Sequence, residues 1–273
     1  MSQRDAFIKV LHESAKRDKN IVLISCDFGA VSLDAYRAEL PEQFIHGGIS
    51  EQAAINIATG LALEGSRVFV YFMSPFWARC FEQMKLATLM NLPITFVSVG
   101  GGLGYAGAGP THYALEDIAM FRTIGPLWLC SDDAMAAEMA RESLTYPGPL
   151  AIRLERHEAI GGDVKLSDGY RIIEGRNNTI VTYGYLVEYF AMKGHRVIDV
   201  FKLPVTPLAV MELEKYDSLY TFEEQYLPGG FGAAIIEAMS DYGKKTRVFR
   251  RGVPQKALIE NGKRDEILDG LWE

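Results

Sequence analysis

Short runs rich in β-branched and aromatic residues alternate along this chain with stretches of helical periodicity. The runs are IVLISC (21–26), RVFVYF (67–72), ITFVSV (94–99), LWLC (127–130) and LAIRL (150–154), and helical patterns fall near 51–64, 76–90, 113–123 and 133–145. Strands that are apolar on both faces and separated by helices need crossover connections, and the outcome is a parallel sheet covered on both sides. The first 156 residues are thereby constrained to a doubly wound α/β layer. Between Glu155 and Asn178 the alternation gives way to RHEAIGGDVKLSDGYRIIEGRNN, which reads as a linker (157–178) carrying a short strand pair. A second series, TIVTYG (179–184), HRVIDVF (195–201), SLYTFEE (218–224) and RVFRRGV (247–253), with helices near 185–193, 206–215, 229–242 and 264–271, builds a second domain over 179–273. The expected fold class is α/β, with two doubly wound domains and mostly parallel sheets.

Charge and cysteine usage narrow the partners. A net charge of −7 without any Lys/Arg-rich run argues against nucleic acid and anionic membranes. Cys26, Cys80 and Cys130 are far apart and form no CxxC pair, so neither a disulfide framework nor a zinc site is indicated. The N-terminal MSQRDAFIKVLHESAKRDKN is an amphipathic helix with Phe7, Val10 and Leu11 on one face and no apolar signal-peptide core. The longest apolar run, around VFVYFMSPFWA, is too short to span a bilayer. A cytoplasmic protein that handles small metabolites or other proteins is expected.

Three segments offer chemistry. In HGGISEQAAINIATGLALEG (46–65), Ser50 can cap a helix whose first turn holds Glu51 and whose remaining positions are small or apolar until Gly65 ends it. Such a helix is expected to be buried on most sides. A first-turn acid is ordinarily explained by the helix dipole, worth about 0.3–1 kcal/mol, so Glu51 has to be judged by its surroundings. His46, at the end of QFIH, could line the same cleft.

The second segment, GGGLGYAGAGPTHY after strand ITFVSV, satisfies G-x-G-x-x-G at Gly102, Gly104 and Gly107. A dinucleotide site would need the third glycine to open a helix onto a pyrophosphate. Gly109-Pro110-Thr111-His112 interrupts the chain there instead, and the glycines are better explained by a close approach of the backbone to something else. His112 becomes a candidate by location, beyond the carboxyl end of a parallel strand. His12, His157 and His195 have better structural readings.

In the third segment, MSPFWARCFEQMK, Phe76, Trp77 and Phe81 surround Arg79. Read alone, this is a helix packing its aromatic face on the sheet. A functional reading requires one ring to leave the core and present its face to a flat heterocycle.

Taken in order and spacing, GISEQAAINIATGLALEG, SPFWARCFEQ, GLGYAGAGPTHYALEDIAMFR and GPLAIRLER resemble the pyrimidine-binding domain of transketolases and deoxyxylulose phosphate synthases over about residues 5–156. TIVTYG, GGFGAAIIEAM and FRRGVPQKAL resemble the family's C-terminal domain. The resemblance implies a thiamin-diphosphate-binding fold followed by a transketolase C-terminal-like domain. It implies that Glu51 meets N1′ of the aminopyrimidine of thiamine diphosphate, that Phe76, with Phe81 lining the pocket, stacks on that ring beside Arg79, and that Asp27 lies near the cofactor at a subunit interface. It further implies that His112 faces the substrate and that Arg153 or Arg156 holds a substrate phosphate, a choice the sequence leaves open. Thiamine chemistry depends on an imino tautomer that forms only when an acid in a dry site shares a proton with N1′, and a carboxylate on an apolar helix end supplies that acid.

Two departures accompany the resemblance. Ala108 stands where many full-length members have an acidic residue before GPTH, and SVGG replaces a segment that carries a phosphate-binding histidine. The GDG motif that binds diphosphate through Mg²⁺ is not found in this sequence. The expectation is therefore the C-terminal half of a split transketolase. It would move a two-carbon ketol unit between sugars or sugar phosphates, in an α2β2 assembly whose N-terminal partner holds the diphosphate and Mg²⁺. Alternatives are the small subunit of a 2-oxoacid dehydrogenase, a non-catalytic assembly subunit of the same fold, and a nucleotide-binding module.

Overall fold

The structure is a computed structural model that describes residues 1–26, 31–159, 161–255 and 261–272. Its strands are β1 (Ile21–Cys26), β2 (Phe44–Gly48), β3 (Arg67–Met73), β4 (Ile94–Val99), β5 (Leu127–Leu129), β6 (Leu150–Leu154), β7 (Tyr170–Ile173), β8 (Asn177–Thr182), β9 (His195–Val200), β10 (Lys202–Leu203), β11 (Ser218–Tyr226) and β12 (Arg247–Val253). The helices are α1 (Gln3–Ala15), α2 (Ser32–Glu39), α3 (Glu51–Leu63), α4 (Trp77–Leu89), α5 (Asp117–Phe121), α6 (Asp133–Ser143), α7 (Tyr185–Met192), α8 (Pro207–Leu213), α9 (Phe231–Asp241) and α10 (Arg264–Trp272).

The first sheet has the order β10-β5-β6-β4-β3-β1-β2, parallel throughout except for β10. Its strands sort their side chains by the period of two that a pleated strand imposes. Val22, Ile24, Val68, Val70, Phe72, Ile94 and Phe96 face α3 and α4 in one core, while Ile21, Leu23, Phe69, Tyr71, Val97, Ile152 and Leu154 face α1, α2 and α6 in the other. The second sheet has the order β12-β11-β8-β9-β7, with only β7 antiparallel. The segment expected to hold a linker and a strand pair supplies one strand, β7, to this sheet.

The two layers are not separate. The α3/α4 core runs on into Val181, Tyr183, Ile198, Val200 and Phe231 of the second layer. Strand β10 leaves the second layer to pair with β5 of the first, Lys202 opposite Trp128.

Local detail departs from expectation in three places. Helix α3 ends as expected, with Gly65 at φ +97° and the N–H groups of Gly65 and Ser66 donating to Ala62 and Leu61 carbonyls. It is, however, buried on one side only. Ala54, Ile55, Ala58 and Ala62 pack inward, whereas Ile57 and Leu63 are exposed, because the described residues offer that face no neighbour. Ser50 makes no side-chain capping bond; its carbonyl accepts from Ala54 N–H. The helix expected over 113–123 shrinks to α5. The backbone of Ala114 is engaged by Gly102 in both directions and by Gln225, and Leu115 accepts from Tyr226 N–H, so these residues cannot enter a helical ladder.

Candidate active site

Every connection that carries a candidate residue leaves the carboxyl edge of the first sheet. Glu51 follows β2, Phe76 follows β3, His112 follows β4 and Arg156 follows β6, and this edge is where parallel α/β sheets place their ligands.

Glu51 sits in the first turn of α3 and is only 5% exposed. Its neighbours on the inner side are thiols. Burial, helped by the charge of Glu51, pushes the Cys26 thiol up to about 12; burial, Cys26 and Glu51 do the same to Cys80. Both cysteines therefore stay protonated and line the carboxylate with weakly polar surface. On the outer side the Arg79 Nη1 lies 3.5 Å from Glu51 Oε2.

The segment around Arg79 divides its aromatics. Trp77, Cys80 and Met84, at spacings of three and four, take the core face of α4, and Trp77 packs on Phe121 with ring centres 4.7 Å apart. Phe76 instead occupies a single 3₁₀ turn (Ser74–Phe76), pinned by a Ser74 Oγ to Ser98 Oγ hydrogen bond of 3.0 Å. Its ring is half-buried and carries the Arg79 guanidinium 4.5 Å above its centre. Phe76 is thus the ring that leaves the core. Phe81 is half-buried one turn further along α4.

The substrate-side candidates form a second group. His112 ends a 3₁₀ turn (Pro110–His112), half-buried, with Nδ1 2.9 Å from Thr111 Oγ1. Its ring lies 6.4 Å from that of Tyr105, and the Arg156 guanidinium lies 5.1 Å from the Tyr105 ring centre. Tyr105 joins the two and was not singled out by sequence; an aromatic residue inside a glycine loop was the available signal. Burial pushes its hydroxyl up to about 12, against the pull of Arg156 and Arg4.

Arg153, by contrast, is 2% exposed and belongs to the interior. Its Nε donates to Asp117 at 2.8 Å and its Nη1 to Glu155 at 3.4 Å. Of the two arginines the sequence left open, the structure removes Arg153 from the solvent-facing edge and leaves Arg156 exposed there. His46 is exposed on the edge strand β2, and its Nδ1 accepts from Gly48 N–H at 3.0 Å. Asp27 lies outside the described residues.

The glycine loop is not a phosphate cradle. The space its glycines leave is filled by the protein: a Cβ on Gly100 would come 2.0 Å from the Tyr105 ring, on Gly101 1.9 Å from Arg153 Nε, and on Gly102 2.6 Å from Glu224 Cβ. The close approach expected of these glycines is an approach to the molecule's own interior.

Known proteins share this architecture. The model of the transketolase pyrimidine-binding domain matches residues 1–160. One of the two kinds of chain of the apulose-4-phosphate transketolase of Phocaeicola vulgatus is 32% identical across 97% of this chain and 91% of that protein. Deoxyxylulose-5-phosphate synthases of Aquifex aeolicus (33%) and Prochlorococcus marinus (30%) match 95% and 99% of the chain. The chain spans only 44% and 45% of their length. Among solved structures, a split-gene transketolase described as an inactive β4 tetramer superposes with a TM-score of 0.78 at 24% identity, covering 99% of this chain and 93% of that one. The transketolase of Campylobacter jejuni does so with 0.75 at 18% identity, covering 99% and 44%. At these identities the two structures speak for the fold alone, but the domain model and the Phocaeicola relative go further: the chain belongs to the transketolase family, of which it carries the pyrimidine-binding and C-terminal domains.

Proposed function

We propose that this chain is the C-terminal subunit of a split, thiamine-diphosphate-dependent transketolase, active with a partner that binds the diphosphate and Mg²⁺. One observation carries the reading. Glu51 and Phe76 hold a single planar group between them, the Arg79 guanidinium, which pairs with the carboxylate while lying over the ring. An aminopyrimidine asks for that same pair of contacts, an acid at its edge and an aromatic face beneath it. The Arg79 side chain is 54% exposed, so it is free to yield the place and remain beside it. One carboxylate and one guanidinium suit a neutral heterocycle and are a poor set for a divalent cation with a diphosphate, which are left to the partner.

When bound, thiamine diphosphate supplies the carbanion that cleaves the ketose C–C bond and carries the two-carbon unit. The residues of this chain have narrower tasks. Glu51, dry and flanked by protonated thiols, keeps a proton shared with the pyrimidine edge. Phe76 orients the ring. His112, Tyr105 and Arg156 face the sugar or sugar phosphate from the adjoining loops. The partner is expected to cover the exposed side of α3 and α4, which lie side by side and turn Ile57, Leu63, Leu86, Leu89 and Met90 outward. An α2β2 assembly in the cytoplasm, acting in carbohydrate metabolism, completes the proposal; the Phocaeicola relative is itself named as a transketolase subunit.

The test is Glu51→Gln in the reconstituted enzyme. Turnover should fall by at least about 10²-fold, the lower end for loss of a positioned acid–base group, while association with the partner is unchanged. Turnover retained by the variant would refute the assignment.

A further inference from the structure

The loop that carries His112 belongs, by its packing, to the other domain. Residues 100–116 connect β4 to α5 in the first layer. Yet Leu103, Ala106, Tyr113 and Leu115 are buried in the same apolar cluster as Leu186 and Val187 of α7 and Ile267 and Leu268 of α10. The backbone just before α10 runs against the loop: Gly262 N–H donates to Ala106 carbonyl at 3.3 Å, and a Cβ on Gly109 would lie 3.5 Å from Asn261 Cβ.

Arg264, the first residue of α10, completes the contact. Its Nη1 donates to Glu155 Oε2 at 3.1 Å and its Nε to Glu224 Oε1 at 2.7 Å, with Nη2 shared between both carboxylates and reaching the Gly101 carbonyl at 3.5 Å. Glu155 also receives Arg153, which holds Asp117 at the far end of the loop, and Asp117 is bonded to Gln225 of β11 at 2.7 Å. Both ends of the loop are thereby tied to one buried ionic cluster. Gly101 and Gly102 are the positions where the loop backbone lies directly on it.

We propose that Arg264 is a positioning residue: through the Glu155–Arg264–Glu224 bridge, docking of α10 holds the glycine loop in the conformation that presents His112. A guanidinium fits this task because its fork serves two carboxylates at once, whereas an ammonium serves them as a point charge. Helix α10 has its own moorings, with Tyr185 donating to Asp265, Lys193 to Asp269 at 2.6 Å, and Trp272 stacked on Phe190 at 5.8 Å. It can therefore stay docked while the bridge is removed.

The kinetic half of this proposal rests on the transketolase reading; the structural half does not. The experiment compares Arg264→Met, Arg264→Lys and wild type by hydrogen exchange in the full chain and by kinetics in the reconstituted enzyme. In Arg264→Met, amides in 102–114 should exchange at least about tenfold faster while those of β3 and β4 keep wild-type rates. Arg264→Lys, which keeps the charge and folds if the methionine variant does not, should fall between. In the enzyme, kcat/KM for the donor should drop in the same order with the affinity for thiamine diphosphate unchanged. Unchanged exchange in the loop, or uniform acceleration that includes β3 and β4, would overturn the proposal. Loop-confined acceleration with no turnover even in wild type would leave the positioning role standing and refute the transketolase reading.

Discussion

Arg153 and Arg156 lie three residues apart and invite the same substitution, with opposite expected outcomes. In Arg153→Met the buried guanidinium is lost and Asp117 and Glu155, each about 1% exposed, lose their shared partner. Removing one member of a buried pair costs about 3–5 kcal/mol, because the remaining charge is left in low dielectric. Burial itself holds the Asp117 carboxyl above its usual range and Arg153 pulls it back, so the variant's Asp117 escapes by taking up a proton. At about 2–4 °C per kcal/mol for a chain approaching this size, the melting temperature should fall by roughly 6–20 °C. Arg156→Ala removes an exposed side chain whose contact with Tyr105 is worth about 0.5–1 kcal/mol, and its melting temperature should move by only a few degrees. Urea and thermal unfolding of both variants, followed by the donor KM of each reconstituted enzyme, reads the contrast. The reasoning fails if Arg153→Met keeps wild-type stability and raises KM, or if Arg156→Ala is the unstable variant.

Two further outcomes follow from the structure. Glu223 is fully buried under the start of α9, where it accepts from Phe231 and Gly232 N–H at 2.6 and 3.0 Å. Burial pushes its carboxyl from 4.5 up to about 7, against those two bonds and the charges of Arg250 and Arg122. Between these values the folded chain holds a proton that the unfolded chain has released, so its stabilising contribution is present at low pH and is lost as pH rises through 7. The gap amounts to about 3 kcal/mol. Wild type should lose stability relative to Glu223→Gln between pH 5 and 8, and parallel curves in urea titrations would contradict this. On the outer face of α4, Leu89→Lys should leave monomer stability within about 0.5 kcal/mol but weaken association with the partner by about tenfold or more, measured by sedimentation; unaltered association would place the interface elsewhere.

Much of the fold was legible because its signals are local. Strands β1, β4, β6 and β12 occupy the expected residues, since each is an uninterrupted run with turn residues at its ends. Strand β2 and helix α2 escaped for the complementary reason. FIHGG lies at the sheet edge and is only half-buried, and SLDAYRAE buries just Leu33 and Tyr36, so neither needs an apolar run. The acid and aromatic of the site were legible as well, from a first-turn carboxylate and a ring beside an arginine. The choice between Arg153 and Arg156 was not, because it depends on Asp117, 36 residues from Arg153, and on the strand face to which Arg153 points. The ionic cluster was invisible in principle, as Arg264 meets Glu155 across 109 residues and Glu224 across 40.

The two halves of the site are held in place by different means, and chain length explains why. Glu51 stands three residues beyond β2 and Phe76 three beyond β3, so the strands themselves place both. His112 stands in the middle of a seventeen-residue connection, 100–116, that has only two 3₁₀ turns of its own. Ordering such a segment costs about 1–2 kcal/mol per residue in backbone freedom alone, and its few internal bonds cannot offset that. The offset comes from burial of Leu103, Ala106, Tyr113 and Leu115 in the second layer's apolar cluster, and from a glycine backbone pressed onto the carboxylate–guanidinium cluster between the layers. The short connections need only the first sheet. The long one needs the second domain, and a substrate-facing histidine on so long a loop is a physical reason for the two domains to share one core.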